Sequence, residues 1–398
     1  MKHPRFLYTF VLVWCLLAGP CVRTGRLHAR GNVRPVPSAV IYTPQIDSLL
    51  KGADTLSGIE LLRLYQMTHY GAYELNEPEL HLQLLRQSMD RVEKDDYEFG
   101  RAFLYGIWIE ALYNYNPPDS VLVPETLQAL EFMRTVRTDP RAEIYYLNVT
   151  VILADHYILS GHYEEALQLS EELYKESRDS NSSSGIATAL KCMGRAYAAL
   201  KFPDKAIESY REVLVVADKD RNIDILCDTY HLLIQLYLKN NQLQPALDIC
   251  KEYENFLAYC QNHSNTVAEV IEKYRFNFYL STAEVHRRFR NYALAGKYIA
   301  QAEAISFSHT ALGIFTLEDV RFRWLLDQRK FQQAGESLDR IDREYGEVAT
   351  FYDKLGLLRY RAQLYYEQGM YEEAADSYMD YILRNDSIKK SRDGGPPQ

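Results

Sequence analysis

The chain has 398 residues, of which 47% are apolar and 25% are charged, which is the balance of a folded protein with a substantial core. Its net charge of −9 at pH 7 argues against nucleic acid as the main partner, because phosphate binding requires a basic face. Tyrosine is abundant, at 32 residues. Since its ring packs between helices while its hydroxyl reaches water or a carbonyl, we expect most of these tyrosines to serve packing.

The N-terminal segment is first basic and then strongly apolar. The basic start Lys2–Arg5 precedes an apolar run from Phe6 to Ala18, which ends at Gly19-Pro20. This order is typical of a secretory signal peptide, and the run is too short for a stable membrane span. An amphipathic first helix fits less well, because the run is apolar on every side. The sequence therefore predicts a signal peptide over residues 1–28 and an exported protein that is periplasmic or associated with the envelope.

Two processing routes remain open for this segment. Leu17-Ala18-Gly19 is close to a lipoprotein signal that would lipidate Cys21, but Pro20 intervenes. Cleavage after Cys21 or near Ala29 is the alternative. Residues 29–52 are rich in arginine and proline without an apolar period, which predicts a basic linker. Any membrane association is expected through this N-terminal segment only.

Helical spacing of apolar residues begins near residue 46. Four segments before residue 153 carry it: Ile59–Tyr65, Leu80–Leu85, Phe103–Leu112 and Leu127–Ile152. The break at Asn116-Pro117-Pro118 separates the first three from the fourth. We interpret them as two degenerate helix pairs that precede clearer repeats.

The clearest motif runs from Leu190 to Tyr210. Leu190, Met193 and Tyr197 lie at helical spacing, and an alanine, Ala206, follows the tyrosine after nine residues. Gly194 and Ala206 are small, which predicts that two helices cross closely at these positions. One such helix pair cannot bury its own apolar face, so neighbouring pairs must stack on it.

The motif recurs in register along the chain. The aligned alanines are Ala166, Ala206, Ala246, Ala295, Ala334 and Ala374, at intervals of 40, 40, 49, 39 and 40 residues. Nine residues before each alanine stand Tyr157, Tyr197, Tyr237, His286, Leu325 and Tyr365. The 49-residue interval indicates an insertion or a longer helix pair, and the serine-rich stretch 177–185 predicts a flexible loop.

These residues resemble the tetratricopeptide repeat, whose pattern places Leu, Gly and Tyr on helix A and Ala with an aromatic on helix B. The resemblance implies an all-α fold, a right-handed superhelical solenoid of antiparallel helix pairs with a period of about 40 residues. We expect roughly eight pairs in one repeat domain over residues 53–386 and a disordered tail over 387–398. The family implies a protein-binding role and names no partner.

No residue pattern predicts catalysis. The sequence has none of the common zinc, nucleophile or phosphate-loop motifs, so we expect no enzyme activity, no cofactor and no metal site. His156 and His162 flank a helix junction and are interpreted as capping or surface residues rather than metal ligands. Of the cysteines beyond the signal peptide, Cys250 and Cys260 are the closest pair in sequence, but buried thiols are the favoured interpretation.

The resemblance also suggests which side chains form a binding groove. In the family, set positions of helix A line the concave face, and here they carry Lys191, Arg195, His231, Gln235, Lys239, Arg359 and Gln363. Tyr366 occupies a further such position. This surface is more basic than the whole chain and would suit an acidic peptide or a terminal carboxylate. The carboxylate clamp of one family branch is not supported, because Arg195 and Leu232 replace its two asparagines. The alternative is that these groups only solvate the concave face.

The sequence therefore predicts a protein- or peptide-binding scaffold or adaptor of the bacterial envelope. An alternative rests on the signal segment, the tyrosine-rich repeats and the ending Asn385–Lys390, which look like the exported sensor part of bacterial two-component systems. In those proteins a kinase or DNA-binding domain follows the repeats. On that alternative the chain is a sensor module, truncated or acting beside such a system.

Overall fold

The computed structural model describes residues 55–74, 78–115, 119–218, 222–263, 268–346 and 351–392. Within these residues the chain forms sixteen α-helices, one short 3₁₀ helix and no strand. The prediction of an all-α fold built from about eight helix pairs is confirmed. The helices form two compact units that divide between Phe202 and Pro203, and each unit is described by itself.

The first unit contains seven of the helices. They are α1 (Gly58–Glu74), α2 (Pro78–Lys94), α3 (Glu98–Tyr115), α4 (Asp119–Val136), α5 (Pro140–Ser160), α6 (Tyr163–Asp179) and α7 (Ser183–Ala199). Each odd-numbered helix contacts the next odd-numbered helix as well as its even-numbered neighbours. We call the odd-numbered helices A helices and the even-numbered ones B helices. Aromatic rings join the A helices, as where Phe103 and Tyr145 meet edge to face with centroids 5.4 Å apart.

The second unit contains the other nine helices and the 3₁₀ turn. They are α8 (Pro203–Val216), α9 (Ile223–Lys239), α10 (Leu243–His263), α11 (Ala268–Arg288), α12 (Tyr292–Glu303), the 3₁₀ turn Ser306–His309, α13 (Ala311–Asp327), α14 (Phe331–Tyr345), α15 (Phe351–Glu367) and α16 (Tyr371–Arg392). Helices α10 and α11 each have 21 residues, so the 49-residue interval is a longer helix pair.

The turns after the A helices repeat one backbone conformation. The residue five before each aligned alanine lies in the left-handed region, with φ between 57° and 86°: Gly161, Lys201, Asn241, Arg290, Arg329 and Gly369. The next residue donates its N–H to the carbonyl of the residue nine before the alanine, at 2.8–3.0 Å. This bond satisfies a carbonyl at the end of the A helix that would otherwise lack a partner. The repeat register read from the sequence is therefore confirmed in the backbone.

The small residues of the repeat are buried as predicted. Each of the six aligned alanines is at most 3% exposed, and Gly194 is also buried. Tyr237 is buried, whereas Tyr157, Tyr197 and Tyr365 are half-buried. Helices α7 and α8 belong to different units, so the crossing expected between Gly194 and Ala206 stays a prediction.

The serine-rich stretch 177–185 is not the long flexible loop that its composition predicted. Helix α6 continues to Asp179 and α7 begins at Ser183, which leaves a three-residue turn. Ser182 caps α7, because its Oγ accepts the backbone N–H of Gly185 at 2.9 Å. Asn181 takes the left-handed conformation in this turn, with φ of 52°. The polar residues thus end and start helices rather than form a loop.

Several sequence predictions concern residues outside the described ranges. The predicted signal peptide (1–28) and linker (29–52) both lie there, and so do residues 393–398 of the predicted tail. Helix α16 continues to Arg392, past the predicted start of the tail at residue 387. None of the described helices combines the length and the apolar composition needed to cross a membrane.

Candidate functional site

The predicted groove residues fall in both units. Lys191 and Arg195 lie on α7 in the first unit, and the other five lie on α9 and α15 in the second unit. Lys191 is half-buried. The Arg195 guanidinium forms an ion pair with the Asp155 carboxylate on the preceding A helix, α5. Asp155 and Arg195 occupy the same repeat position in successive A helices, so this pair holds two neighbouring repeats together.

On α9 the three predicted residues differ in exposure. His231 is half-buried, and its Nδ1 lies 2.9 Å from Ser281 Oγ on α11. Burial lowers the pKa of His231, and the nearby Asp228 opposes that shift only in part. At neutral pH the ring is therefore uncharged and serves the contact between α9 and α11. Gln235 and Lys239 are exposed on the same helix.

Helices α11 and α13 carry charges at the equivalent positions, but these charges pair with one another. Arg287 Nη2 donates to Glu284 Oε1 at 2.7 Å, and Arg323 Nη1 lies 3.4 Å from the same oxygen. The Glu284 side chain is only 7% exposed. Burial alone would raise its pKa, but Arg287, Arg323 and Arg288 together outweigh burial and lower the pKa. Glu284 therefore stays ionised and joins the two A helices.

A second ion pair of this kind links α13 to α14. Glu318 is 1% exposed, and its Oε1 accepts from Arg321 at 2.6 Å and from Arg340 at 2.9 Å. Arg321 also reaches Glu303 on α12, at 2.9 Å. A buried carboxylate is stable only when its charge is matched in this way. The charged side chains of Glu318, Arg321 and Arg340 therefore form contacts between neighbouring helices and are not available to a ligand.

On the last A helix, α15, the side chains at the predicted groove positions face solvent, although Arg361 on the same helix pairs with Asp339 and Asp342 of α14. Arg359 and Gln363 are both exposed on α15, and Tyr366 is 58% exposed one turn further on. These residues stand at i, i+4 and i+7, which places them on one face of the helix. The Tyr366 ring meets Tyr371 edge to face with centroids 5.5 Å apart. We call Arg359, Gln363 and Tyr366 the α15 stripe.

Sequence reasoning missed the inner ion pairs. Glu284, Glu318 and Arg323 were not singled out, although one signal for them was present in the sequence. Opposite charges occupy the same repeat position in successive A helices, as Asp155 and Arg195 do, and as Glu284 and Arg323 do. Charge alternation at the repeat period, rather than charge alone, indicates such pairs.

The first unit also holds a buried polar cluster that the sequence did not indicate. His69 and His81 are at most 2% exposed, with ring centroids 5.6 Å apart, and Ser88 Oγ lies 3.4 Å from His69 Nε2. Burial lowers the pKa of His81 to about 4 and holds that of His69 well below its usual range. Both rings are therefore neutral at pH 7 and pack as core residues.

The histidines that were weighed as metal ligands have local partners. His156 Nε2 lies 3.1 Å from Asp119, and His162 Nδ1 lies 3.2 Å from Glu165 near the start of α6. His286, which was not weighed as a ligand, stacks on Tyr298 with an interplanar angle of 8°. In the part of the chain that the structure describes, no group of three or more metal-binding side chains comes together.

The four cysteines in the described ranges are buried and not joined in disulfides, which agrees with the favoured interpretation of buried thiols. They are Cys192, Cys227, Cys250 and Cys260. Burial raises the pKa of Cys192 to about 11 and that of Cys250 to about 12. Both therefore stay protonated at neutral pH, and a buried protonated thiol is a poor nucleophile.

The chain is similar to several solved structures. No protein-family model and no curated protein matches the chain. Among solved structures, the chain is similar to apo RapI, with 15% identity, coverage of 83% of this chain and 99% of that chain, and a TM-score of 0.46. Aspartyl phosphate phosphatase F from Bacillus subtilis gives 11% identity, coverage of 87% and 95%, and a TM-score of 0.48.

A third similar structure is the Cut9–Hcn1 hetero-tetramer of APC/C, with 13% identity, coverage of 86% of this chain and 65% of that chain, and a TM-score of 0.43. All three TM-scores lie below 0.5, so these likenesses carry no argument about this chain. The assignment of the fold rests instead on this chain's own geometry, namely the six equivalent turns and the six buried alanines. The chain therefore has a tetratricopeptide-like helical-repeat fold.

Proposed function

We propose that this protein is a non-enzymatic scaffold that binds a carboxylate-bearing segment of another protein on the α15 stripe. The observation that supports this proposal most is the contrast between A helices. Charges on α11 and α13 pair internally, whereas Arg359 and Gln363 on α15 are exposed. Exposed side chains can exchange water for a ligand without first breaking an ion pair.

The chemistry of the stripe selects the kind of segment. The Arg359 guanidinium presents several N–H donors in a fork that matches a carboxylate in two-point geometry. The Gln363 amide both donates and accepts, which suits a peptide backbone. Tyr366 offers a large rigid ring, and Tyr and Arg are the residue types that most often anchor protein interfaces. An acidic peptide or a chain terminus satisfies all three.

A charge-reversal pair tests the proposal. Arg359→Glu should abolish recovery of the partner in a pull-down from the native cell extract, because the variant repels a carboxylate. Arg343→Glu is the matched control, since Arg343 is 66% exposed on α14, away from the α15 stripe, and should retain the partner. Equal recovery with both variants would overturn the assignment of the α15 stripe, provided that both variants melt like the wild type.

The proposal also includes the cellular location of the protein. The apolar run Phe6–Ala18 after a basic start supports export to the periplasm or envelope. Mass spectrometry of the protein recovered from fractionated cells tests it. We expect the mature N-terminus to begin near residue 22 or 29 and the protein to be in the envelope fraction. A full-length chain in the cytoplasmic fraction would contradict export.

The alternative remains a sensor module that acts with a two-component system. It is supported by the resemblance of the signal segment, the tyrosine-rich repeats and the ending Asn385–Lys390 to exported sensor regions. The two functions differ in the partner that is recovered. A histidine kinase or its DNA-binding regulator, encoded beside this chain, would favour the sensor role, and an unrelated envelope protein would favour the scaffold.

A further inference from the structure

Helix α16 presents an apolar stripe to solvent. Tyr371, Met379, Ile382 and Leu383 are 66%, 57%, 48% and 61% exposed, and Tyr378 is 39% exposed. Positions 371, 378, 379 and 382 follow the i, i+7, i+8, i+11 spacing of one helix face. Ala374, one turn before Tyr378, is buried. Large exposed apolar patches mark sites of association.

The repeat itself does not require these apolar residues. Met379, Ile382 and Leu383 stand five, eight and nine residues after the aligned alanine of α16. The equivalent residues of α14 are Asp339, Asp342 and Arg343, and those of α10 are Lys251, Glu254 and Asn255. All three α14 residues are exposed. Of these three helices only α16 is apolar at all three positions, and α8 carries Leu214 and Val215 at the last two.

The charges along α16 indicate what covers the stripe. The N-terminal half of the helix is acidic, with Glu372, Glu373, Asp376 and Asp380. The C-terminal half is mostly basic, with Arg384, Lys389, Lys390 and Arg392. A parallel partner helix with the same sequence would place like charges together. An antiparallel copy would place the acidic half of each helix beside the basic half of the other.

We propose that α16 is a dimerisation helix that binds α16 of a second copy of this chain in antiparallel orientation. A twofold axis between residues 380 and 381 places position 379 opposite position 382 of the second copy, and position 378 opposite position 383. The same axis places Glu372 opposite Lys389 of the second copy. This pairing sets apolar positions at its centre and the oppositely charged positions 372 and 389 at both ends, as a self-complementary twofold contact requires. Tyr371 contacts Tyr366 of the α15 stripe, so the two surfaces adjoin, but the substitutions that test the dimer leave the three residues of the α15 stripe unchanged.

Sedimentation velocity of the purified full chain tests the proposal. We expect about twice the chain mass of 46.3 kDa at concentrations up to roughly 100 µM, where an interface of micromolar Kd is largely occupied. Met379→Glu combined with Leu383→Glu should give the monomer mass. Val215→Glu is the matched control, because Val215 stands nine residues after its aligned alanine, as Leu383 does, and is 83% exposed on α8. That control should stay dimeric.

A charge exchange separates antiparallel pairing of α16 from any other dimer. Glu372→Lys alone places two lysines opposite each other at both ends of the interface and should weaken dimerisation several-fold. Adding Lys389→Glu to that variant should restore the wild-type affinity, because the opposite charges face each other again. A monomeric wild type, a dimer unaffected by the double glutamate variant, or a failure of the exchange to restore affinity would each overturn the proposal.

Discussion

The two last helix pairs of the second unit share one backbone and use it differently. In α13/α14 the polar side chains are tied into the repeat stack, as Glu318 is between Arg321 and Arg340, and the apolar Leu338 is fully buried. In α15/α16 the equivalents of Asp319, Arg323 and Leu338 face solvent: Arg359 and Gln363 on α15, and Tyr378 on α16. Arg361, the equivalent of Arg321, still pairs with Asp339 and Asp342 of α14. The difference shows that one repeat pattern can form either packed contacts or an exposed surface. Which one forms depends on whether a neighbouring repeat packs against the side chains.

The largest expected effect concerns the buried ion pairs of the inner helices. Glu318→Gln should destabilise the protein by about 3–5 kcal/mol, because it leaves the cations Arg321 and Arg340 without their shared anion. Glu367→Gln, on the exposed end of α15, should cost less than about 0.5 kcal/mol. Urea unfolding measured by circular dichroism compares the two variants. Equal losses would show that the inner charges contribute no more than surface ones.

The next effect compares one repeat position in α14 and α16. Leu338→Ala should cost about 2–4 kcal/mol, because Leu338 is 0% exposed and belongs to the core cluster that includes Leu357 and Leu364. Tyr378→Ala at the equivalent position should cost about 1 kcal/mol or less in the monomer, since its side chain is 39% exposed. Urea unfolding at low protein concentration measures both. A larger loss from Tyr378→Ala would contradict the described exposure of α16.

A smaller effect is expected at the turns, where the two pairs carry different residues in the same conformation. Arg329 has φ of 58° and Gly369 has φ of 80°. Arg329→Gly should stabilise the protein by about 1 kcal/mol, and Gly369→Ala should destabilise it by about 1 kcal/mol, because a side chain disfavours the left-handed region. Thermal melts of the two variants should shift in opposite directions. Shifts of the same sign would contradict the shared turn geometry.

The smallest expected effect is a pH dependence of stability that arises from Glu284 on the A helix α11. Arg287 and its neighbours hold the pKa of Glu284 below its ordinary value of 4.5, despite burial. The stability that this carboxylate contributes is present above pH 4.5 and is lost as pH falls through its lowered folded-state pKa. Glu284→Gln should therefore flatten the decline of melting temperature below pH 4.5, whereas Glu367→Gln should leave it unchanged. If the melting temperatures of the wild type and of both variants decline in parallel below pH 4.5, this role for Glu284 is excluded.

The backbone of the repeat was predictable from sequence because its signals are local. Each alanine and the turn five residues before it lie within one short segment, and the predicted register matches the six left-handed turn residues. The ion pairs were not predicted because their partners are far apart in sequence, as Glu284 and Arg323 are. The exposure of Arg359 could not be predicted from sequence either, since whether a charged side chain is paired depends on the neighbouring repeat. The serine-rich turn was misjudged because serine serves loops and helix caps alike.

The most direct test of the account is a photo-crosslinking amino acid placed at Gln363, with Gln332 as the control position. Both residues are exposed, Gln363 on the α15 stripe and Gln332 on α14. Irradiation of cells that express these variants should produce one recurrent crosslinked protein from position 363, lost when Arg359→Glu is added, and none from position 332. Crosslinks that are identical from both positions, or that persist with Arg359→Glu, would contradict a binding site on the α15 stripe.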